Sequence, residues 1–193
     1  MRPGDHFLEV CAGWWTFSAT AAMWGYTGDG CDIWDVSLGF GRRQMAALPY
    51  EAASIGNHYG DARDLPFEND SYDFLYCNPP FFQLERYSES EKDLGASPTI
   101  DVWLEKSGDM MAEMARVARP GALIATVMAD YRDDGNMVPL SARWMMEGMK
   151  RGLILHDVVV ARLLSQQVRM WRQAYEQKRT AKTHEYIIVF KKP

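Results

Sequence analysis

The sequence is poor in cysteine, and its three thiols are spread along the first half of the chain. Cys11, Cys31 and Cys77 form neither a CxxC pair nor an even disulfide set. This spacing disfavours structural zinc, so we expect reduced and mostly packed thiols. The four histidines are scattered as well, and no metal site is predicted.

Long hydrophobic runs are also absent. No stretch reaches the roughly 20 apolar residues that a membrane helix needs. The start of the chain lacks the apolar segment of a secretory signal. These absences predict a soluble protein of the cytoplasm with no membrane partner.

The chain has 193 residues, of which 47% are hydrophobic and 24% are charged. This is enough apolar material for one large core, so we predict a single domain over residues 1–193. The formal net charge of −5 is unevenly distributed. Residues 162–183 hold six basic residues and one acid, a local charge of +5 that leaves −10 on the remainder.

Short apolar runs alternate with helical patterns through most of the chain. The predicted strands cover residues 7–11, 26–33, 55–60, 73–77, 122–129, 153–160 and 186–190, and the predicted helices cover 17–24, 38–47, 103–117 and 140–149. This alternation favours an α/β fold, with a mostly parallel sheet covered by helices on both faces. Residues 83–100 are polar and acidic without a clear period, which predicts an exposed and mobile loop.

Polar side chains lie at the carboxyl ends of predicted strands, where ligands collect in open α/β sheets. Glu9 lies in the first strand just ahead of Ala12 and Gly13, where a turn brings backbone N–H groups toward a ligand. Asp32 follows Gly13 by 19 residues, close to the roughly 20-residue offset at which an acid reaches a ribose hydroxyl. Solvated acids at strand ends are the alternative interpretation.

The most specific motif is Asn78-Pro79-Pro80-Phe81, which directly follows the fourth predicted strand. Two successive prolines remove two backbone donors and fix the chain. The side-chain oxygen of Asn78 and the carbonyl of Pro79 can then accept hydrogen bonds at one point. Two acceptors that face one point suit an amino group. An ordinary Pro-Pro turn is the alternative.

These motifs resemble those of the S-adenosylmethionine-dependent amino-methyltransferases that modify exocyclic amines of DNA bases, especially the small phage and bacterial forms. The similar segments cover roughly the whole chain: residues 7–16, 60–66, 78–81, 117–121 and 183–190. The resemblance implies a Rossmann-like class I methyltransferase fold with a seven-stranded sheet and an antiparallel last strand. It also implies a protein of bacteria or of phage-infected cells.

By this resemblance, Glu9 orients the methionine end of S-adenosylmethionine, Asp32 the ribose hydroxyls, and Asp61 the adenine amino group. The implied cofactor-binding residues are Glu9, Ala12, Gly13, Thr16, Asp32, Ile33, Asp61, Ala62 and Asn78. The implied catalytic residues are Asn78, Pro79, Pro80 and Phe81. Asn78 and Pro79 accept hydrogen bonds from the target amine and Phe81 stacks on the base, so catalysis rests on positioning and electrostatics.

A base inside a duplex cannot reach such a pocket, so the target must be flipped out or already single-stranded. The basic connection over residues 162–183 interleaves cations with aromatic rings, a composition suited to phosphate contact and base stacking. The predicted nucleic-acid contacts are Arg169, Trp171, Arg172, Lys178, Arg179 and Lys182. A solvated basic helix or a loop between the last two strands is the alternative.

Trp15 stands where the family has its second motif glycine, and Trp14 precedes it where a small residue is usual. An indole there either blocks the cofactor's space or points away and packs elsewhere. In the second case, the prediction is methylation of a DNA base, with adenine N6 favoured over cytosine N4.

Other substrates and roles remain alternatives. The same chemistry on RNA guanine N2 or on a protein glutamine amide is one, and a catalytically silent DNA-binding partner is another. We expect no separate target-recognition domain. A short or weak sequence preference, a homodimer or a second recognition subunit would follow.

Overall fold

Most strands of the sheet form where short apolar runs lie between turns and helices, whereas β2 and β3 are rich in glycine and polar residues. The computed structural model describes residues 1–49, 52–82, 86–87, 90–133, 135–163, 172, 175–176 and 183–193. The strands are β1 His6–Val10, β2 Thr27–Asp32, β3 Ile55–Tyr59, β4 Tyr72–Cys77, β5 Ala118–Met128, β6 Tyr131–Asp133, β7 Asn136–Val138, β8 Ile154–Arg162 and β9 His184–Lys191. The helices are α1 Thr16–Met23, α2 Asp35–Ala46, α3 Ile100–Val117 and α4 Leu140–Lys150, with a 3₁₀ turn at Leu94–Ala96.

Seven of these strands form one sheet in the order β3-β2-β1-β4-β5-β9-β8. The pairs from β3 across to β5 are all parallel. β9 runs antiparallel to both of its neighbours, β5 and β8. This topology confirms the predicted seven-stranded, mostly parallel sheet with an antiparallel last strand.

The strand order reverses between β1 and β4, and this reversal puts helices on both faces. From β1 the chain moves outward through β2 to β3 and then returns to β4 on the other side of β1. Right-handed crossovers therefore place α1 and α2 on one face and α3 and α4 on the other. The two helices of each pair contact each other, and each pair also contacts the sheet. The reversal also opens a crevice at the carboxyl ends of β1 and β4.

Side chains of β1 alternate between the two layers. Leu8 and Val10 lie in the main core cluster together with the buried methionines of α3. On the other face, Phe7 contacts Phe17 of α1 edge to face, with the ring centroids 5.4 Å apart. The central strand is thus buried on both faces, which is why apolar residues occupy successive positions at Phe7 and Leu8.

Two regions differ from the sequence-based expectation. β6 and β7 form an antiparallel hairpin that was not predicted, because three-residue strands are too short to show a period. Within the predicted loop 83–100, Asp93, Gly95 and Ser97 are buried. Their burial follows from Asp93, whose carboxylate accepts the backbone N–H groups of Tyr87 and Gly95 at 2.7 and 3.0 Å. Within the described ranges, no helix combines the length and apolarity needed to cross a bilayer.

Candidate functional site

A cavity of about 390 Å³ lies at the carboxyl ends of β1, β2, β3 and β4. Its position matches the crevice expected where the strand order reverses. Six residues that the sequence assigned to cofactor binding line this cavity: Gly13, Asp32, Ile33, Asp61, Ala62 and Asn78. The fold therefore brings together residues that are up to 65 positions apart in the chain.

Asp32, the last residue of β2, connects the cavity to the turn after β1. Its Oδ2 accepts the backbone N–H of Gly13 at 2.8 Å, and its Oδ1 accepts that of Trp34 at 2.8 Å. Burial raises the pKa of Asp32 above its ordinary value, although the hydrogen bonds from Gly13 and Trp34 oppose that shift. The carboxylate is thus fixed in orientation while it lines the cavity.

The turn between β1 and α1 has an unusual backbone. Cys11, Gly13 and Trp15 all have left-handed φ angles, of 57, 49 and 61°. For a residue with a side chain, this conformation costs about 1–2 kcal/mol. Trp15 therefore adopts the backbone conformation that a glycine at this motif position would favour. The turn can thus follow the same path beside the cavity.

The indole of Trp15 is fully buried and lies outside the cavity lining. Its Nε1–H donates to Oγ of Ser37 at 3.0 Å, and that hydroxyl donates to the carbonyl of Gly13 at 2.7 Å. The ring lies against Gly30 and Gly41, where an added Cβ would come within 2.1 and 2.7 Å of indole carbons. These glycines make room for the indole, so Trp15 points away from the cavity and packs between β2 and α2.

Asp61 follows β3 and is held by Arg63, which also lines the cavity. The guanidinium of Arg63 donates to Oδ1 and Oδ2 of Asp61 at 2.9 and 2.7 Å. Burial opposes ionisation of Asp61, but the hydrogen bonds and charge of Arg63 outweigh it and lower the pKa of the carboxyl. Asp61 is therefore an ionised acceptor with both oxygens already engaged on one side.

The Asn78-Pro79-Pro80-Phe81 motif divides between the cavity and the core. Asn78 is exposed and lines the cavity together with Pro80. The carbonyl of Pro80 accepts the indole N–H of Trp103, in α3, at 3.1 Å. Pro79 is buried, and Phe81 is 8% exposed within the main core cluster. Phe81 thus lies outside the cavity lining, and its stacking on the target base stays a prediction.

Three other residues assigned to the cofactor lie outside the lining. Glu9 is 4% exposed, and its carboxylate accepts the backbone N–H and the hydroxyl of Ser18 at 2.9 and 2.5 Å. Burial raises the pKa of Glu9 to about 7 against these hydrogen bonds. Glu9 thus holds the beginning of α1, and its contact with the cofactor stays a prediction. Ala12 is buried and Thr16 is exposed at the first turn of α1.

Several lining residues were missed by the sequence analysis. Cys11 and Cys31 line the cavity as unpaired thiols. Burial and nearby carboxylates raise the pKa of Cys31 to about 12, so its thiol stays protonated at neutral pH. Trp34 and Tyr87 form an aromatic part of the rim. Sequence position was the signal that could have found them, because Trp34 closely follows Asp32 and Tyr87 follows the Asn78 motif.

The predicted nucleic-acid contacts lie mostly outside the described residues. The predicted contacts that lie outside the described residues are Arg169, Trp171, Lys178, Arg179 and Lys182. Arg172 is described: its side chain is exposed and pairs with Glu176 at 3.0 Å. Across the part of the chain that the structure describes, no group of three His, Cys, Asp or Glu side chains could hold a metal ion.

Comparison with known proteins bears on the fold. No protein-family model matches the chain, and no curated protein matches it in sequence. Among solved structures, an S-adenosylmethionine-dependent methyltransferase from Methanosarcina mazei is similar, with a TM-score of 0.66 and 15% identity, over 100% of this chain and 94% of that one. A Haloferax volcanii methyltransferase in complex with the Trm112 activator has a TM-score of 0.67 and 16% identity, over 100% and 84%.

The same fold also occurs in the [4+2]-cyclase SpnF, with a TM-score of 0.65 and 14% identity, over 100% of this chain and 77% of that one. At these identities the similarity shows the fold, and one fold hosts several chemistries. The chain therefore has the Rossmann-like class I methyltransferase fold. Its function has to be argued from the cavity itself.

Proposed function

We propose that this protein is an S-adenosylmethionine-dependent methyltransferase that modifies an exocyclic amino group of a DNA base, with adenine N6 favoured over cytosine N4. The observation that carries the proposal is the meeting of Asn78, Asp32 and Asp61 at one cavity. A side-chain amide suited to an amine thus lies beside two carboxylates suited to a nucleoside. The proposal also rests on the motif resemblance of the sequence.

The cavity suits S-adenosylmethionine in size and chemistry. Its volume of about 390 Å³ lies within the range of pockets for cofactors and small molecules. Asp32 and Asp61 offer acceptors for the ribose hydroxyls and the adenine amino group. Ile33, Leu94 and Met110 add apolar lining for the flat face of a purine. These residues would hold the cofactor, and the indole of Trp15 leaves their space open.

Asn78 is the residue that acts on the target amine. Its Oδ1 accepts one N–H of the amine, and this draws the nitrogen lone pair out of conjugation with the base. Bound S-adenosylmethionine would supply an electrophilic methyl group, whose carbon–sulfur bond breaks as the nitrogen–carbon bond forms. The amine nitrogen then releases one proton to solvent. The chain contributes a fixed acceptor and a fixed approach, which are sources of catalysis by positioning and preorganised polarity.

The orientation of Trp15 favours an enzyme over a silent binding partner. An indole in the cavity would compete with the cofactor, whereas this indole is buried between β2 and α2. DNA is favoured as the substrate by the sequence motif and by the basic composition of residues 162–183. RNA and protein amides are the competing substrates that the experiment separates.

The test uses S-adenosylmethionine labelled in its methyl group. Purified protein is incubated with separate pools of duplex DNA, single-stranded DNA, RNA and protein, and the modified nucleoside is identified by mass. We expect label in DNA as N6-methyladenine, with single strands modified at least as readily as duplex because no base must be flipped. The Asn78→Ala protein serves as the control.

Each other outcome has a defined meaning. Label confined to RNA or protein would overturn DNA as the substrate while leaving methyl transfer in place. The absence of label from every pool, together with no calorimetric binding of S-adenosylmethionine at millimolar concentration, would overturn the enzyme assignment.

A further inference from the structure

Four aromatic rings form a continuous strip from the cavity to the open surface. Tyr87 and Trp34 line the cavity, with their ring centroids 5.6 Å apart. Trp34 meets Phe40 of α2 edge to face at 6.0 Å. Phe40 stacks on Trp14, with centroids 4.1 Å apart and planes inclined by 22°. We call Tyr87, Trp34, Phe40 and Trp14 the aromatic strip.

The outer end of the strip is accessible to a ligand. Trp14 is 62% exposed, although a side chain of this size is usually largely buried. The turn after β1 and the beginning of α2 hold the strip in place, because Asp32 bonds the backbone of both Gly13 and Trp34. The carboxylate that lines the cavity thus fixes the backbone of Trp34 and of the residue before Trp14.

Cations accompany the rings. The guanidinium carbon of Arg43 lies 5.0 Å from the centroid of Phe40, and both Arg42 and Arg43 are exposed on α2. One acid, Asp35, lies on the same stretch of helix and lines the cavity. Aromatic rings with arginines beside them are the combination by which proteins bind unpaired nucleic-acid strands, and within the strip the rings of Trp14 and Tyr87 are exposed.

The position of the aromatic strip suits contact with the nucleotides beside the target base. A base that enters the cavity at Asn78 remains bonded to its strand, so the neighbouring nucleotides must leave across the rim. Tyr87 and Trp34 lie on that rim, and the strip leads from them to Trp14 on the surface. A base can stack on the exposed rings of Trp14 and Tyr87 regardless of sequence, because every base has a flat face.

We infer that the aromatic strip is a stacking surface for unpaired nucleotides that flank the target base. This inference rests on the proposed function, and it assigns a role to Trp14. It also adds a base contact to the one predicted for Phe81. Its action is binding alone and adds no chemical step.

The test compares two exposed tryptophans at opposite ends of α1. Trp14 precedes the helix and Trp24 follows it, 78% exposed and outside the strip. Binding of a fluorescent single-stranded oligonucleotide of mixed sequence is measured by anisotropy for Trp14→Ala, Trp14→Tyr and Trp24→Ala. Affinity for S-adenosylmethionine is measured by calorimetry on the same proteins.

Trp14→Ala should weaken binding of the oligonucleotide about 5- to 100-fold, the scale of losing one base–aromatic stack. Trp14→Tyr should restore most of the affinity, because a tyrosine ring also stacks. Trp24→Ala should bind as the unaltered protein does, and all three should keep their affinity for S-adenosylmethionine.

Equal affinities for Trp14→Ala and Trp24→Ala would overturn the inference, as would failure of the unaltered protein to bind the oligonucleotide. Failure of the inference is distinguishable from failure of the proposed function. If the protein methylates DNA but its affinity for the oligonucleotide does not depend on Trp14, only the inference about the aromatic strip fails. If Trp14→Ala loses oligonucleotide binding but the unaltered protein transfers no methyl group, the proposed enzyme function fails and the inference about the aromatic strip stands.

Discussion

The two halves of the cavity rim are held in different ways. On the β1–β2 half, Asp32 is bonded to the backbone of Gly13 and Trp34, and Trp15 bonds through Ser37 to the same turn. On the β4 half, Asn78 presents an exposed side chain, and the bond from Trp103 to Pro80 anchors the motif from below.

The difference separates two tasks. A half that is fixed by several hydrogen bonds between buried and half-buried groups can hold one ligand in a constant pose without reorganisation. A half that exposes a polar side chain on an anchored backbone can receive a second ligand from solvent. The account therefore assigns the cofactor to the β1–β2 half and the amine to the β4 half. Substitutions at five residues can break or sharpen this assignment.

The largest effect should come from Phe81, at the buried end of the β4 half. Phe81→Ala should lower the free energy of unfolding by about 3 kcal/mol or more, because it removes a core ring. Phe81→Leu should lose much less. Urea unfolding of both variants measures the difference. Unaltered stability with a raised KM for DNA would return Phe81 to the role of a base contact.

Asn78→Ala tests the exposed end of the same half. Turnover should fall about 100-fold or more, the scale of deleting one preorganised polar group from an active site. The Kd for S-adenosylmethionine should stay unchanged, because Asn78 acts on the amine. Single-turnover rates and calorimetry provide the two readings. Near-normal turnover would mean that the Asn-Pro-Pro motif is only a turn, without a catalytic role.

The contrast between Asn78 and Phe81 also marks how far the sequence could be interpreted. The placement of Asn78 after a strand followed from the apolar run of β4, which stops at a polar residue, and that of Asp32 from its 19-residue offset from Gly13. The burial of Phe81 did not follow, because it depends on packing in a core built from residues distant in the chain. The direction of the Trp15 indole likewise depends on Gly30 and Gly41, whose roles appear only when β2 and α2 are in place.

Asp32→Ala tests the β1–β2 half. Affinity for S-adenosylmethionine should fall about 5- to 100-fold, since a lost polar partner costs about 1–3 kcal/mol. Asp61→Ala should act on the same scale. Asp64→Ala is the control, because Asp64 is exposed and lies outside the cavity lining. Calorimetry measures all three, and equal Kd values for Asp32→Ala and Asp64→Ala would place the cofactor elsewhere.

The last prediction concerns Glu9, whose effect on stability has a pH dependence of defined sign. The folded protein raises the pKa of Glu9 from 4.5 to about 7, so the folded state prefers the protonated carboxyl. Its contribution to stability is present at low pH and is lost as pH rises through about 7. Relative to Glu9→Gln, the unaltered protein should lose about 2 kcal/mol of unfolding free energy between pH 5 and pH 8. Urea titrations at the two pH values measure this, and parallel losses in both proteins would contradict the assignment.

The central claim is that one cavity holds the cofactor at Asp32 and directs its reactive end toward Asn78. A crystal structure with bound S-adenosylhomocysteine tests this claim most directly. The account predicts ribose hydroxyls within hydrogen-bond distance of the Asp32 carboxylate and the sulfur atom on the Asn78 side of the cavity. A ligand bound outside this cavity, or one with its sulfur turned away from Asn78, would contradict the account.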